Sequence, residues 1–492
     1  MIHTFFFQLL GYMCMTTVSC PKKSQLEYKP RRPEKTALFQ VIKKHFVTWC
    51  KQSENPIPKY VSKEFNNFLG CGILAKGFAC ARCVGCNQDF LIAFSCKGRG
   101  ICPSCNTKVM VETAAHLVDN IIPRVPIRQF VISFPLRIRH YLQTDAILGQ
   151  VLQIVVDEIR KKLIALRSDI AEATIGAVSF IQYFGNSLNF HPHFHLLFAD
   201  GVFTTAEQEL LFFEVAITQD DVADIQDAIQ MRALKLFCKR GWFDKETIEK
   251  MLHYENSGFS LDAKVKIEAW DRDGLERLIR YCARPAFASE NLRLHGRMLI
   301  YRFPKPSRTG QTYIQLEPLE FLTRIAAFIP HPRKHRRHYH GAFAPNSPLR
   351  KKVAANAQKF VSQTITDMKD AAEKVEKISS NWAKLILRIY EVNPLTCTGC
   401  GKDIRIISFV THREAIWRIL RGIGLTAVVP EFDPAYEITD RDVCQLISGT
   451  KDGFPEMDVS LNSAVGPDPP CFENYYDSPH FEDYFDPPHW AD

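Results

Sequence analysis

Cys83-x-x-Cys86 and Cys102-x-x-Cys105 are separated by fifteen residues. Two such knuckles can bring four thiolates to the corners of a tetrahedron, the geometry that zinc accepts. The spacing falls within a known four-cysteine zinc pattern. A structural zinc on these four residues is the expectation. Cys71, Cys80 and Cys96 lie nearby as spares, any one of which could replace a ligand. Lys76, Arg82, Lys97, Arg99 and Lys108 surround the knuckles, which suits a module that touches DNA.

A second constellation is His191-Pro192-His193-Phe194-His195, followed by Leu-Leu-Phe-Ala-Asp-Gly. In a strand, alternate side chains share a face, so His193 and His195 point the same way. Two neutral imidazoles on one face can hold a divalent cation. Pro192 sets His191 at the strand start and makes it the weaker candidate. A hydrophobic strand with incidental histidines is the competing reading. Asp200-Gly201 reads as a tight turn.

The third is a helix ending at Pro285. Leu275, Leu278, Ile279 and Cys282 form its apolar stripe, and Arg277, Arg280 and Arg284 lie opposite. Tyr281 falls between them. A phenol beside cations that hold phosphate can act as a covalent nucleophile where a metal polarises the target. A boundary tyrosine of an amphipathic helix is the plainer alternative.

Two further segments carry less. His331 to His340 is a basic loop whose Arg333, Lys334, Arg336 and Arg337 could bind DNA phosphates. His340 is a candidate third metal ligand. Cys397-x-x-Cys400 is half of a second zinc site, with His412 a candidate addition; otherwise it is a ribbon-like turn without metal.

The elements that must position these residues are mixed. Helices are expected over Thr36 to Trp49, Thr107 to Ile122, Ile147 to Leu166, Leu210 to Cys238 (with a break near residue 218), Gly274 to Ala283, Pro318 to Phe328 and Ala354 to Tyr390. Strands are expected over Gln129 to Phe134, Ala177 to Phe184, His193 to Phe203, Met298 to Phe303 and Thr312 to Leu316. Without a regular βαβ rhythm, an α+β fold follows. The 492 residues make roughly three domains. The composition excludes fibrous and wholly disordered classes, and no run of about 18 apolar residues spans a membrane. Phe5 to Met15 is apolar, but no basic residue precedes it, so residues 1–27 read as an unassigned leader from a start set too far upstream. Clustered cysteines in a long chain indicate a reducing, cytoplasmic setting. From Pro430 onward there are fifteen acidic and two basic residues, so the rest carries +21, a balance that suits a nucleic-acid partner.

In this order the pieces resemble the rolling-circle transposases of the insertion-sequence-91 group, within the His-hydrophobe-His (HUH) tyrosine nucleases. The resemblance runs from about Tyr28 to Leu425. It rests on FLGCGILAKGF (68–78), AFSCKGRGICPSC (93–105), ETAAHLVDNIIPRVPIRQFVISFP (112–135), HPHFHLLFADGVF (191–203), YCARPAFASENL (281–292), the stretch 316–350 and NPLTCTGCGKDIRIISFV (393–410). It implies a zinc-binding module at 28–117 that uses Cys83, Cys86, Cys102 and Cys105. It implies a nuclease domain at 118–350 with a five-stranded antiparallel sheet; pattern and composition add a helical region with the C-x-x-C knuckle at 351–425 and an acidic, largely disordered tail at 426–492. It assigns His193 and His195 to Mg2+ or Mn2+ and makes Tyr281 the nucleophile that forms a 5′-phosphotyrosine on single-stranded DNA. Pro285 stands where two-tyrosine members carry a second tyrosine, which marks a single-tyrosine variant. The chain has no P-loop, so strand separation falls to host helicase or replication machinery. A replication initiator or relaxase, and a zinc-containing DNA-binding remnant without nuclease activity, are the alternatives.

Overall fold

The computed structural model describes residues 32–357, apart from 208, 254–257 and 308, and residues 396–433, apart from 398. The leader, most of the expected helix at 354–390 and the acidic tail beyond 433 lie outside the described residues.

The described chain opens with α1 (Ala37–Gln52), α2 (Lys59–Leu69), β1 (Phe78–Cys83), β2 (Asp89–Ala93) and α3 (Pro103–Asn120). Next come β3 (Ile127–Ser133), α4 (Leu136–Arg139), α5 (Asp145–Ala165), β4 (Gly176–Phe184), β5 (Phe190–Ala199), β6 (Gly201–Ala206) and β7 (Glu209–Glu214). Then α6 (Gln219–Lys239), α7 (Lys245–Leu252), β8 (Ser260–Asp262), β9 (Lys266–Ile267) and α8 (Arg272–Cys282) follow. The remaining elements are β10 (Leu292–His295), β11 (Met298–Arg302), β12 (Tyr313–Leu316), α9 (Pro318–Ala326), β13 (Arg337–Gly341), β14 (Ile404–Val410) and α10 (Arg413–Gly422).

Helix starts follow local chemistry. The Thr36 side chain accepts from the Phe39 backbone N–H at the head of α1. Thr218 and Asp221 form a reciprocal capping box on α6. That cap marks where the expected long helix from Leu210 begins nine residues late. Glu209–Glu214 is instead a strand paired with β6, because its Leu-Leu-Phe-Phe run covers the β6 side chains across a hairpin. Gly201 is required at the β5–β6 bend, where a Cβ would lie 2.2 Å from the Phe213 carbonyl oxygen. The expected strand over His193 to Phe203 is therefore two strands.

The central sheet runs β13-β4-β5-β3-β8, with β9 also pairing with β3, and every pairing is antiparallel. Part of the expected basic loop is thus an edge strand, Arg337–Gly341. Strand alternation divides the sheet into two buried faces. Phe130, Ile132, Ala177, Ile181, Phe194, Leu196 and Phe198 pack against α5 and α6. Ile127, Val178, Phe180 and Leu197 pack against α3 and α8. Each fully buried side chain of this size contributes about 1.5–3 kcal/mol. β5 is buried on both faces, so polar groups on it meet protein rather than water.

The amino-terminal helices share their core with distant chain. Leu38, Ile42, Phe46, Trp49, Phe65 and Phe68 pack with residues of β10–β12, α9 and the 184–188 turn. α3 runs across the expected boundary at residue 117 and joins that core to the sheet. A small third sheet, β14-β1-β2, brings residues 404–410 back to the amino-terminal module. The described part of the expected helical region is therefore helix at 351–357, then a knuckle, a strand and one further helix. Among the described residues no helix is long and apolar enough to cross a membrane.

Candidate active site and metal centres

His191, His193 and His195 alternate along β5 and share the face that packs on α8. Their ring centroids follow one another at 5.3 and 5.0 Å. The Tyr281 ring stands edge-on to His195, 5.4 Å away, and is only 8% exposed. Residues 86 positions apart in sequence are thereby brought together by a sheet face and the helix that covers it.

Three hydrogen-bond sets hold this arrangement. Gln182, opposite His193 across β4 and β5, donates to the carbonyls of Tyr281 (3.2 Å) and Cys282 (2.8 Å). These are terminal helix carbonyls that need partners, so the sheet itself fastens the end of α8. Gln129 Nε2 donates to His195 Nδ1 at 2.9 Å and to Cys282 Sγ at 3.5 Å. His193 Nδ1 donates to the His191 carbonyl at 2.8 Å, which leaves Nε2 with its lone pair. At the other end of α8, Asp271 accepts from the Gly274 N–H at 2.7 Å.

Burial dominates the titration of the three rings. His193 is lowered to about 3 by burial and then by His191; His191 is lowered to about 3 by burial and then by Arg139. His195 is also pushed down, by burial first and then by His193. All three are neutral at physiological pH, the form that donates a lone pair to a metal.

The expected cationic residues are spread over several roles. The Arg284 guanidinium lies 4.8 Å over the Tyr281 ring and 5.3 Å over Phe184. Arg280 is ion-paired with the buried Glu276, and Arg277 lies one turn before Tyr281. Arg336 is half-buried with its guanidinium 5.3 Å over the Tyr183 ring, and desolvation lowers it to about 10. Arg337 donates to Thr113 of α3. Arg333 and Lys334 are exposed, and Arg99 donates to the carbonyls of His331 and Lys334, tying this loop to the cysteine module. His340 pairs with Ala177, a residue of the α5–α6 face, and its Nε2 contacts Ser179 Oγ at 2.9 Å. Strand parity thus sets it on the opposite side of the sheet from His193 and His195, and it does not complete their ligand set.

The cysteines group differently from the expectation. Cys83 and Cys86 do not meet Cys102 and Cys105. Cys71, Cys96, Cys102 and Cys105 form one tetrad, and Cys83, Cys86, Cys397 and Cys400 form another. Within each, the sulfurs all lie within 4.8 Å of one another. Individual separations include 3.4 Å (Cys96–Cys105), 3.5 Å (Cys71–Cys102), 3.3 Å (Cys83–Cys400) and 3.6 Å (Cys86–Cys397). Tetrahedral zinc with bonds of about 2.3 Å sets sulfur–sulfur edges of about 3.8 Å, close to these values. The physical reason for the regrouping is the β1–β2 hairpin. Its tip carries Cys83 and Cys86 to the β14 side, while its base leaves Cys96 beside Cys71. Cys71 and Cys96, two of the nearby spares able to replace a ligand, both enter the first tetrad; for the second, the half-site at Cys397 and Cys400, short of two ligands, is the available hint. Gln129 and Gln182 belong to no motif; the signal they offer is a bulky amide in a mainly apolar strand, shared with Arg128 and Ser133 in β3 and Ser179 in β4.

The family model described as "Putative transposase" matches residues 176–351, which hold the histidine strand and Tyr281. The model described as "Transposase zinc-binding domain", of the IS91 type, matches residues 41–134, which hold the whole first tetrad. Together the two matches support an insertion-sequence-91-type transposase with an amino-terminal zinc-binding domain. No curated protein and no solved structure matches it. The family domain and the converging thiols together support structural zinc.

Proposed function

We propose that this transposase nicks and rejoins single-stranded DNA at element ends, by rolling-circle transposition, with Tyr281 as nucleophile. The observation that carries the reading is the Tyr281–His195 contact on the shared β5–α8 face. His193 and His195 are the residues that would hold Mg2+ or Mn2+, and such an ion supplies charge withdrawal from a scissile phosphate. The two neutral imidazoles suit that role. As placed, Gln129 Nε2 donates to His195 Nδ1, which leaves the ring proton on Nε2; for Nε2 of His195 to face an ion, the Gln129 amide must turn over so that its oxygen accepts from Nδ1–H.

Tyr281 attacks phosphorus after losing its phenolic proton. The phosphate–3′-oxygen bond breaks, the leaving 3′-oxygen takes up a proton, and the 5′-phosphate remains esterified to Tyr281. Rejoining reverses these steps with another 3′-hydroxyl, so no nucleotide is consumed. Arg284, over the tyrosine ring, supplies positive charge where phosphate must sit. The exposed Arg333 and Lys334 extend that charge along the strand.

The test uses end-labelled single-stranded DNA from the element's terminus, with Mn2+ or with EDTA. A covalent protein–DNA adduct that requires metal is expected, and Tyr281→Phe should lower its formation by at least about a thousand-fold. Cleavage that persists in Tyr281→Phe rejects Tyr281. Binding without cleavage by the unaltered chain identifies a DNA-binding remnant instead.

A further inference from the structure

The second tetrad lies partly outside both family matches, because Cys397 and Cys400 follow residue 351. We propose that Cys83, Cys86, Cys397 and Cys400 bind a second structural zinc, which clasps the returning carboxyl-terminal segment onto the amino-terminal module.

The two halves of this site are built alike. The Cys83 N–H donates to the Gln88 carbonyl five residues on (2.9 Å), and the Cys397 N–H donates to the Lys402 carbonyl five residues on (2.7 Å). The Asn87 N–H returns to the Cys83 carbonyl (3.1 Å), and the Gly401 N–H returns to the Cys397 carbonyl (2.8 Å). The residue four after the first cysteine is left-handed in both, with φ of 59° at Asn87 and 71° at Gly401. Each turn therefore aims two thiols at one point, from chain 311 and 317 residues apart. Gly85 permits the approach, since a Cβ there would lie 2.5 Å from Lys402 Cγ and 3.2 Å from Cys400 Sγ. The sulfurs are unbridged, so no disulfide accounts for their convergence.

Packing gives the segment two modest holds. Among the described residues, Ala75, Phe78, Ile416 and Leu420 are buried in the small core it shares with the module, and Phe432 stacks on Phe46 at 4.2 Å, while Ile406, Ile407 and Phe409 of β14 are exposed. Cores this small need a staple such as a metal. The β14–β1 ladder begins beside the tetrad, at Cys83 and Ile404. A metal there fixes the register from one end. Binding couples to folding through the release of thiol protons.

The inference does not depend on nuclease activity, and its test reads metal and assembly. Full-length protein purified without added metal should contain two zinc ions per chain, and Cys397→Ser/Cys400→Ser should contain one. Reconstitution with Co2+ should halve the thiolate-to-cobalt band in the same variant. Because substitution can disturb folding, a protease site placed between residues 357 and 396 gives a second measurement. After cleavage, the carboxyl-terminal piece should co-elute with the rest and separate once a chelator is added. One zinc in the unaltered chain, two in the double variant, or co-elution that survives metal removal would each overturn the clasp.

Discussion

The first tetrad draws its sulfurs from thirty-five consecutive residues, Cys71 to Cys105, and three of its four cysteines are buried. The second draws on two stretches some three hundred residues apart, and two of its four cysteines are exposed. The first sits inside a large aromatic core with Phe65, Phe68 and Trp49; the second sits at the edge of a core of four side chains. A local, buried tetrad is a condition for its surroundings to fold. A long-range, exposed tetrad fastens pieces that have already folded. The same four-thiol chemistry thus serves a foundation in one place and a fastener in the other.

The largest expected effect tests the foundation. Structural zinc in small modules is worth about 10–16 kcal/mol, and Cys71, Cys102 and Cys105 belong to the core that also holds α1 and α9. Cys105→Ser should leave residues 38–105 open to limited proteolysis and lower the yield of folded chain sharply. Cys400→Ser should leave that region as resistant as before. Equal resistance of region 38–105 in the two variants would erase the distinction between the tetrads.

A fastener without metal comes next. Gln182 holds the last turn of α8 with two buried hydrogen bonds. Losing donors to buried carbonyls costs about 1–3 kcal/mol. Gln182→Leu should raise hydrogen exchange of the α8 amides by about 30-fold, the equivalent of about 2 kcal/mol. α5 and α6, on the other face of the sheet, should not change. If α8 exchange is unaltered, the apolar stripe alone positions Tyr281 and the amide clamp is incidental.

These two regions also differ in how much the chain's own text reveals. On β5, a period of two is geometry, so His193 and His195 are placed on one face by spacing alone. The stripe of Leu275, Leu278 and Ile279 similarly turns α8 toward the sheet. The cysteine module has no such ruler. Fifteen residues between two C-x-x-C pairs suit a single zinc, yet the intervening hairpin sends the pairs to different sites. Of the actual partners, Cys71 and Cys96 are visible as nearby spares, while Cys397 and Cys400 lie 311 and 317 residues from the thiols they meet, a separation no local pattern encodes. Cross-strand pairing likewise decided residues 209–214 and 337–341, whose own composition reads as helix and loop. Glutamines at strand positions facing histidines were the overlooked sign, since a buried amide must be placed to hydrogen-bond something.

The smallest effect concerns the β1–β2 hairpin that carries Cys83 and Cys86. Arg82 pairs with Asp89 across its two strands, with Nε and Nη2 donating to the two carboxylate oxygens at 2.6 and 2.9 Å. The geometry is good, but the side chains are 51% and 58% exposed. Exposed pairs gain little because water and salt screen them. If the tetrad rather than this ion pair holds the hairpin, Arg82→Ala should leave the zinc content at its original value. The thermal midpoint should move by less than the scatter between repeat melts, at low and high salt alike. A salt-dependent loss of zinc in Arg82→Ala would show instead that surface charge sets the hairpin before metal can bind, and the second tetrad would then depend on the strand pairing it is argued to fix.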